Sequence, residues 1–214
     1  MYDLHTHSIF SDGILLPSEL IRTAEYLGYK GVAITDHVDF SNIERVVEGL
    51  RKLEEEEWNI DVVIGVEITH VSPVKMGRLV QKARDLGVEY IVVHGETIVE
   101  PVEEGTNLAA IKEGVPLLAH PGLISEEEVE LASENGVFLE ITSRRGHSLT
   151  NGHVARLSIE RGAGLLLNSD LHEPEDFMSR EMREKIALGS GVPDDCLKDL
   201  LEKNPRKIVE EFKI

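Results

Sequence analysis

The sequence predicts an α/β protein in which seven parallel β-strands close into a barrel surrounded by helices. Short runs rich in β-branched residues alternate with amphipathic helical segments along the whole chain. These runs are continuously apolar, which is typical of parallel strands covered on both faces. Histidines or carboxylates follow nearly every run, and this requires strand ends arranged in a ring. An open doubly wound sheet is the alternative, but it gathers its ligands at one switch point.

The predicted elements follow one another as strand and helix units. The first helix begins near Pro17 and ends before Gly28, with Leu20, Ile21, Ala24 and Leu27 on one face. Strands are expected at about residues 2–6, 31–35, 61–67, 88–93, 115–119, 137–141 and 164–168. Further helices are expected at about residues 42–57, 75–86, 106–113, 125–135 and 151–162.

The last part of the chain has helical segments at about 174–188, 194–203 and 205–213 and no further strand pattern. The 214 residues are 41% hydrophobic, enough to bury a full core, and no Gly/Ser-rich linker interrupts them. We therefore expect residues 1–214 to form one domain, with the helices of residues 174–214 packed on the barrel.

Net charge and hydropathy predict which classes of partner the protein has. The chain has 22 Lys and Arg against 40 Asp and Glu, a formal net charge of −18. This is the wrong sign for holding a polyanion by counterion release, so we expect no nucleic-acid partner. No apolar run approaches the ~20 residues that span a bilayer, and Met1 leads into a histidine pair without a signal peptide. We expect no membrane partner and a cytoplasmic location, and the oligomeric state is left open.

The residues after the strands indicate a metal centre. His5 and His7 are two positions apart, so their side chains project together from a strand and can chelate one ion. The other candidates come at or soon after the ends of later strands. They are Asp12, Asp36, His37, Glu67, His94, His120, Asp170 and His172.

The ordered motifs carry a family resemblance. The sequence contains "DLHTHSIFSDG", "ITDH", "GVEI", "VVHGE", "LLAHPG" and "NSDLH". It resembles the polymerase and histidinol phosphatase (PHP) superfamily of metal-dependent phosphoesterases, and among them the histidinol-phosphate phosphatases. The resemblance implies a distorted seven-stranded (β/α) barrel, similar to a TIM barrel, with two to three divalent ions at the strand ends.

The resemblance also implies which residues hold the ions. One ion would take His5, His7, Glu67 and Asp170. Glu67 would bridge to a second ion bound by His94 and His120, and Asp12, His37 and His172 would hold a third. Imidazoles mixed with carboxylates suit Zn, Mn or Fe.

The function implied is hydrolysis of a small phosphorylated metabolite, such as histidinol phosphate, through a metal-bridging hydroxide. The catalytic residues would be Glu67, Asp170 and Asp36, the last as a carboxylate that orients metal-bound imidazoles. Nucleotide, cyclic-phosphate and protein-tyrosine phosphoesterases of the same family are alternatives.

A non-catalytic ribonuclease P subunit should have lost metal ligands and gained a basic surface. An amidohydrolase should have a lysine near the end of the fourth strand. The sequence shows neither the features of such a ribonuclease P subunit nor this lysine.

Substrate contacts are expected in the loop after the sixth strand, "ITSRRGHSLTNGH". Arg144 and Arg145 are adjacent, and guanidinium groups bind phosphate oxygens in a bidentate manner. We expect at least one of them to contact the phosphate. Glu96 is a candidate acid for the leaving group, although a surface carboxylate is the simpler interpretation, and His70, His147 and His153 have no assigned metal.

Overall fold

The computed structural model describes residues 1–214 and contains eight strands and eight α-helices. The strands are β1 (Tyr2–Asp3), β2 (Gly31–Ile34), β3 (His37–Val38), β4 (Asp61–Ile68), β5 (Tyr90–His94), β6 (Leu117–Ala119), β7 (Phe138–Thr142) and β8 (Leu165–Asn168). The helices are α1 (Pro17–Tyr26), α2 (Ile43–Leu50), α3 (Met76–Asp85), α4 (Thr106–Lys112), α5 (Glu126–Asn135), α6 (Asn151–Arg161), α7 (Arg180–Gly189) and α8 (Asn204–Phe212).

Seven parallel strands form a nearly closed barrel, which confirms the predicted fold class. The strands pair in the order β1-β2-β4-β5-β6-β7-β8, and the short β3 pairs only with β4. The seam between the first and last strands is joined by a parallel bridge between Thr6 and Leu171, where the His7 N–H donates to the Leu171 carbonyl at 2.7 Å. An open sheet leaves these strands apart, so that alternative is wrong.

The first strand is shorter than predicted because side chains replace its backbone partners. The Leu4 N–H donates to Asn168 Oδ1 at 2.9 Å, and the Thr6 N–H donates to Thr35 Oγ1 at 3.1 Å. These contacts satisfy the backbone without a regular ladder. They distort the barrel at the strand that carries the first two histidines.

The core has two parts on either side of the sheet. A cluster of 45 buried residues lies between strands and helices, whereas 12 residues, among them Leu4, Tyr90 and Leu166, fill the barrel interior. The interior is therefore a packed core and not a pore. Ile208 and Val209 of α8 belong to the interior cluster, so this helix covers the amino end of the barrel.

Several helices differ from the predicted boundaries. The segment expected at 42–57 is helical only to Leu50 and continues as a 3₁₀ turn over Arg51–Glu55. The segment expected at 194–203 is a 3₁₀ turn followed by one π-helical turn before α8 begins. None of the helices combines the length and apolar character needed to cross a membrane.

Candidate metal centre

The candidate ligands meet at the carboxyl end of the barrel. Glu67 is near the end of β4 and His94 is the last residue of β5, while His120 and Asp170 follow β6 and β8. His5, His7, Glu67, His94, His120 and Asp170 are all buried, whereas Asp12, His37 and His172 lie nearer the opening.

The innermost contacts involve two histidines and two carboxylates. His5 Nε2 lies 3.3 Å from Glu67 Oε2, and His7 Nε2 lies 3.1 Å from Asp170 Oδ1 and 3.5 Å from Glu67 Oε2. His120 Nε2 is 3.6 Å from the other Glu67 oxygen. Glu67 therefore presents one oxygen to the histidine pair and the other to His120, as a bridging carboxylate would.

A second group of side chains lies nearer the opening. Asp12 Oδ1 is 3.2 Å from His172 Nε2 and 3.5 Å from His37 Nε2. Ligand atoms of His7, Asp12, His37 and His172 all lie within 4.8 Å of one another. The structure thus brings all nine predicted ligands into one region.

His94 has different neighbours from those that the motifs imply. It groups with His120 and His147, and separately with His70 and Glu100, but not with Glu67. Its Nε2 lies 3.0 Å from Glu100 Oε2.

The buried polar atoms of this region fit a cation. His5 Nε2, both nitrogens of His7, both Glu67 oxygens and Asp170 Oδ1 are buried and form no hydrogen bond of good geometry, although His37 Nδ1 lies 2.8 Å from Glu67 Oε2 and His7 Nε2 lies 3.1 Å from Asp170 Oδ1. Leaving one such atom unpaired costs about 1–3 kcal/mol. Imidazole nitrogens and carboxylate oxygens are the donors that divalent transition metals use, so the residues present fit such ions.

Electrostatic coupling sets the protonation of the metal-free centre. Burial opposes the charge on His5, but Glu140, Glu67 and Asp170 outweigh it and hold the pKa of His5 well above its usual value. Burial and the neighbouring His37 lower the pKa of His7 to about 4. Although burial opposes it, nearby imidazoles hold the pKa of both Glu67 and Asp170 well below the usual range.

Two of the candidate ligands have strained backbones. His120 has φ = 29° and Asp170 has φ = 55°, in the left-handed region that residues other than glycine rarely adopt. Such conformations cost about 1–3 kcal/mol and cluster at functional sites. The strain turns both side chains into the barrel mouth immediately after their strands end.

Asp36 has contacts other than those expected. Its Oδ1 accepts the backbone N–H groups of Ser8 (2.8 Å) and Ser11 (3.0 Å), and its Oδ2 accepts the Ser8 hydroxyl (2.7 Å). The buried carboxylate therefore fixes the loop that carries Asp12 and does not hydrogen-bond to an imidazole.

Glu140 on β7 is the carboxylate that sequence reasoning missed. Its Oε1 lies 2.9 Å from His5 Nδ1, and its Oε2 accepts the His120 N–H at 3.2 Å. The side chain is 1% exposed. The available signal was a glutamate inside the buried run "VFLEIT".

Glu100 and His147 were also missed as parts of the site. His147 Nε2 lies 3.4 Å from Glu100 Oε1, and its ring stacks on His120 with centroids 4.2 Å apart. Glu96, the candidate acid, instead accepts the backbone N–H groups of Gly105 and Asn107 and so holds a loop.

The two arginines differ in position. Arg144 lines a cavity of about 440 Å³ together with His37, His94 and Asp170, and its Nη1 lies 3.3 Å from Asp176 Oδ2. Arg145 is exposed and is not part of that lining. Only Arg144 is brought to the candidate site.

The remaining unassigned histidines lie farther from the innermost contacts. His70 is exposed at the rim, with its Nε2 3.6 Å from Glu100 Oε2. His153 Nε2 donates to the Ile124 carbonyl at 2.7 Å, so this residue ties a helix to a loop.

Known proteins resemble this chain over most of its length. The PHP domain family matches residues 3–113. An uncharacterized protein of Methanocaldococcus jannaschii is 47% identical over 216 residues, 99% of each chain. Ribonuclease P protein component 3 of Methanococcoides burtonii is 31% identical, covering 98% of this chain and 87% of the relative. The corresponding protein of Methanosarcina mazei is 28% identical, covering 98% and 89%.

Solved structures show the same architecture. A chain of archaeal ribonuclease P, determined by cryo-EM with mature tRNA, matches with a TM-score of 0.68 at 18% identity, covering 97% of this chain and 90% of that one. A. niger ochratoxinase matches with a TM-score of 0.64 at 13% identity, covering 98% and 71%. At these identities the similarity establishes the fold alone.

The prediction that nucleic acid is not a partner is wrong. Relatives similar over nearly the whole chain are ribonuclease P components. Net charge failed as a criterion because it sums the whole chain and carries no information about local surfaces. Seven of the 22 Lys and Arg residues line a single cavity at the amino end of the barrel.

Proposed function

Because the chain belongs to the PHP domain family, we propose that it is a metal-dependent phosphoesterase with its reaction centre at the carboxyl end of the barrel. The observation that carries this proposal is the set of buried imidazole and carboxylate atoms without hydrogen-bond partners. A folded protein retains such atoms where a cation uses their lone pairs.

The proposed metal ligands are the nine residues of the motifs, and the ions are of the Zn, Mn or Fe type. Bound divalent ions neutralise phosphoryl oxygens and lower the pKa of water at the site. Glu140 prepares His5 to bind an ion, because a carboxylate can only accept a hydrogen bond and so holds the proton of His5 on Nδ1. His5 Nε2 is thereby left free to coordinate. Asp36 fixes the loop on which Asp12 lies.

The proposed substrate is a phosphomonoester of a small metabolite. The cavity of about 440 Å³ has a wholly polar lining and is open to solvent at His70 and Asp12. Arg144 lies in this wall and offers a guanidinium group to the phosphate oxygens. Glu100 and His147 line the same cavity and are the side chains we assign to hydrogen-bonding the leaving oxygen. The terminal phosphate of an RNA strand has the same chemistry.

Turnover of a panel of phosphomonoesters, with p-nitrophenyl phosphate and 5′-phosphorylated RNA included, tests the proposal. We expect Mn²⁺- or Zn²⁺-dependent release of phosphate that is lost in the Glu67→Ala variant and retained in Arg145→Ala, since Arg145 is exposed. Equal rates in Glu67→Ala and the unchanged protein would exclude this centre as the source of activity.

The second candidate function is that of an RNA-associated subunit similar to ribonuclease P protein component 3. The similarity over 98% of the chain favours it. One chain can have both functions, because the basic cavity at the amino end of the barrel and the candidate metal ligands at the carboxyl end are separate surfaces. Binding of the chain to a ribonuclease P RNA, measured by anisotropy at several salt concentrations, tests it. Absence of salt-sensitive binding would exclude a direct contact with RNA.

A further inference from the structure

A second cavity lies at the amino end of the barrel, opposite the candidate metal centre. It has a volume of about 480 Å³, and its wall includes residues at the starts of three strands, Tyr2, Lys30 and Asp61, together with residues from α7 to the end of the chain. Seven basic and three acidic side chains line it, in a chain where acidic residues outnumber basic ones by 40 to 22. Positive charge gathered in one concave site raises the local concentration of anions.

Arg183 on α7 is the one buried basic side chain in the wall of this cavity. Its side chain is 3% exposed, and its Nη2 donates to the Leu167 carbonyl. Its Nη1 has no hydrogen-bond partner. Asp3 Oδ2 lies 3.7 Å from Nη1, too far for a hydrogen bond, and that oxygen is also unpartnered. Asp3 therefore offsets part of the charge of Arg183, while Nη1 is buried in the cavity wall without a hydrogen-bond partner.

The remaining basic side chains supply charge that is available to a ligand. Lys30 and Lys198 are exposed and form no ion pair with a carboxylate. Four of the others do form ion pairs, such as Lys213 with Asp61 at 2.9 Å, between side chains that are largely exposed to solvent. Exposed pairs are weak and exchange readily with a competing anion.

We propose that this cavity binds phosphate groups, either of a small phosphorylated molecule of nucleotide size or of an RNA backbone. The volume lies within the range of ~300–1,000 Å³ of ligand pockets. Guanidinium and ammonium groups together suit phosphate, since the first gives directed donors and the second gives mobile charge. The proposal does not depend on the phosphoesterase activity, because none of the cavity residues is a candidate metal ligand.

Calorimetric titration of the full-length protein tests the proposal with two probes, inorganic pyrophosphate and a single-stranded RNA decanucleotide. Lys30→Ala and Lys198→Ala remove the two unpaired charges, and Lys112→Ala is the control, because Lys112 is exposed on α4 and lies outside the cavity. We expect each cavity variant to weaken binding roughly three- to tenfold and the double variant by more, with unchanged melting temperature. The control should bind as the unchanged protein does.

The two probes distinguish the sources of the phosphate. A lysine-dependent affinity for pyrophosphate supports a small ligand, and one seen only with RNA supports the backbone. Any phosphate bound at the metal centre is common to all variants and cannot produce the lysine dependence. Binding of both probes that is equal in the cavity variants and the control, or no binding of either probe, would overturn the proposal.

Discussion

Glu140 shows how one buried carboxylate can position two candidate metal ligands. It contacts the His5 ring through one oxygen and the backbone of His120 through the other, and Asn168 Nδ2 donates to it at 2.8 Å. Carboxylates that hold the second nitrogen of a metal-binding imidazole fix the tautomer and the ring orientation. Glu140 is therefore a positioning residue for the centre.

We predict that Glu140→Gln lowers metal affinity about 10- to 100-fold, because the amide no longer favours the required tautomer of His5. Competition with a fluorescent chelator measures this affinity. The matched control is Glu128→Gln, which changes a carboxylate in the capping box of α5 that is not among the candidate metal ligands. A Glu140→Gln variant with unchanged metal affinity would contradict the positioning role.

Arg144 and Arg145 give a second prediction, because adjacent arginines occupy different environments. Arg144→Ala should lower kcat/KM by about thirty- to several-hundred-fold, the loss of a bidentate contact that tightens in the transition state. Arg145→Ala should change kcat/KM little, because the side chain is exposed and outside the cavity. Steady-state kinetics on the best substrate of the panel, with metal content measured in parallel, distinguish the two. Equal losses in both variants would contradict the assignment.

The sequence predicted which residues belong to the candidate site better than it predicted the contacts that those residues make. The motifs indicated nine candidate ligands, and the structure brings them together because parallel strands must end on one face. Glu140 was missed because a glutamate in an apolar run is ambiguous until its neighbours are known. Asp36 lies beside His37 in sequence, but its carboxylate turns to Ser8 and Ser11, a tertiary choice that no local pattern encodes.

At the scale of elements, the conformation of the loop after β1 depends on hydrogen bonds to Asp36, which lies between β2 and β3. Asp36 interrupts the strand between β2 and β3 and receives backbone and hydroxyl donors from the loop that carries Asp12. The same loop requires Gly13, where a side chain would collide with the His7 carbonyl. Strand end and loop are therefore one unit.

We predict that Asp36→Ala lowers the free energy of unfolding by about 2–5 kcal/mol, because donors of the buried Ser8 and the partly buried Ser11 lose their acceptor. Ser11→Ala removes only one hydroxyl contact and should cost about 0.5–1.5 kcal/mol. Urea unfolding followed by circular dichroism measures both. Similar small losses in the two variants would show that Asp36 does not hold the loop.

Helix positions were predicted well where caps and apolar faces coincide, and poorly elsewhere. The helix expected at 125–135 is α5, and a capping box of Ser125 and Glu128 fixes its start. The turns at 194–203 were predicted as one helix because a segment of only two turns is too short for its apolar spacing to distinguish 3₁₀, α and π geometry. Packing on the barrel selects among these geometries, and a single sequence does not show it.

At the scale of the whole molecule, the barrel separates its charges between two ends. Histidines and carboxylates gather at the carboxyl end, and a basic cavity lies at the amino end. The net charge of −18 is correct as a sum, but it concealed this distribution. The fold class followed from the strand and helix pattern together with the histidines and carboxylates at the strand ends, whereas the positions of lysines and arginines on helices depend on how each helix docks.

Metal ions and protons should compete for the ligand atoms of the candidate metal centre. In the metal-free protein burial opposes the charge on His37, but Glu67 and Asp12 outweigh it and raise the pKa of His37 to about 9. This imidazole is then protonated at neutral pH and must lose its proton to coordinate an ion. A raised folded-state pKa stabilises the metal-free protein below the unfolded value near 6.5, and this stabilisation is lost as pH rises through about 9.

We predict, as a consequence, that the stabilisation given by metal grows between pH 6 and pH 9. Binding at a free metal concentration of 100 times Kd stabilises the fold by about 2.7 kcal/mol, and the Kd itself falls as the competing protons leave. Melting temperatures with Mn²⁺ and with EDTA, measured at each pH, give the difference directly. His37→Ala should reduce the rise without abolishing it, because, against the effect of burial, neighbouring carboxylates also raise the pKa of His5 and of His172, whereas His7, whose pKa is lowered to about 4, is already neutral there. A difference that is constant or that shrinks from pH 6 to pH 9 in the unchanged protein would show that metal does not displace a proton from this site.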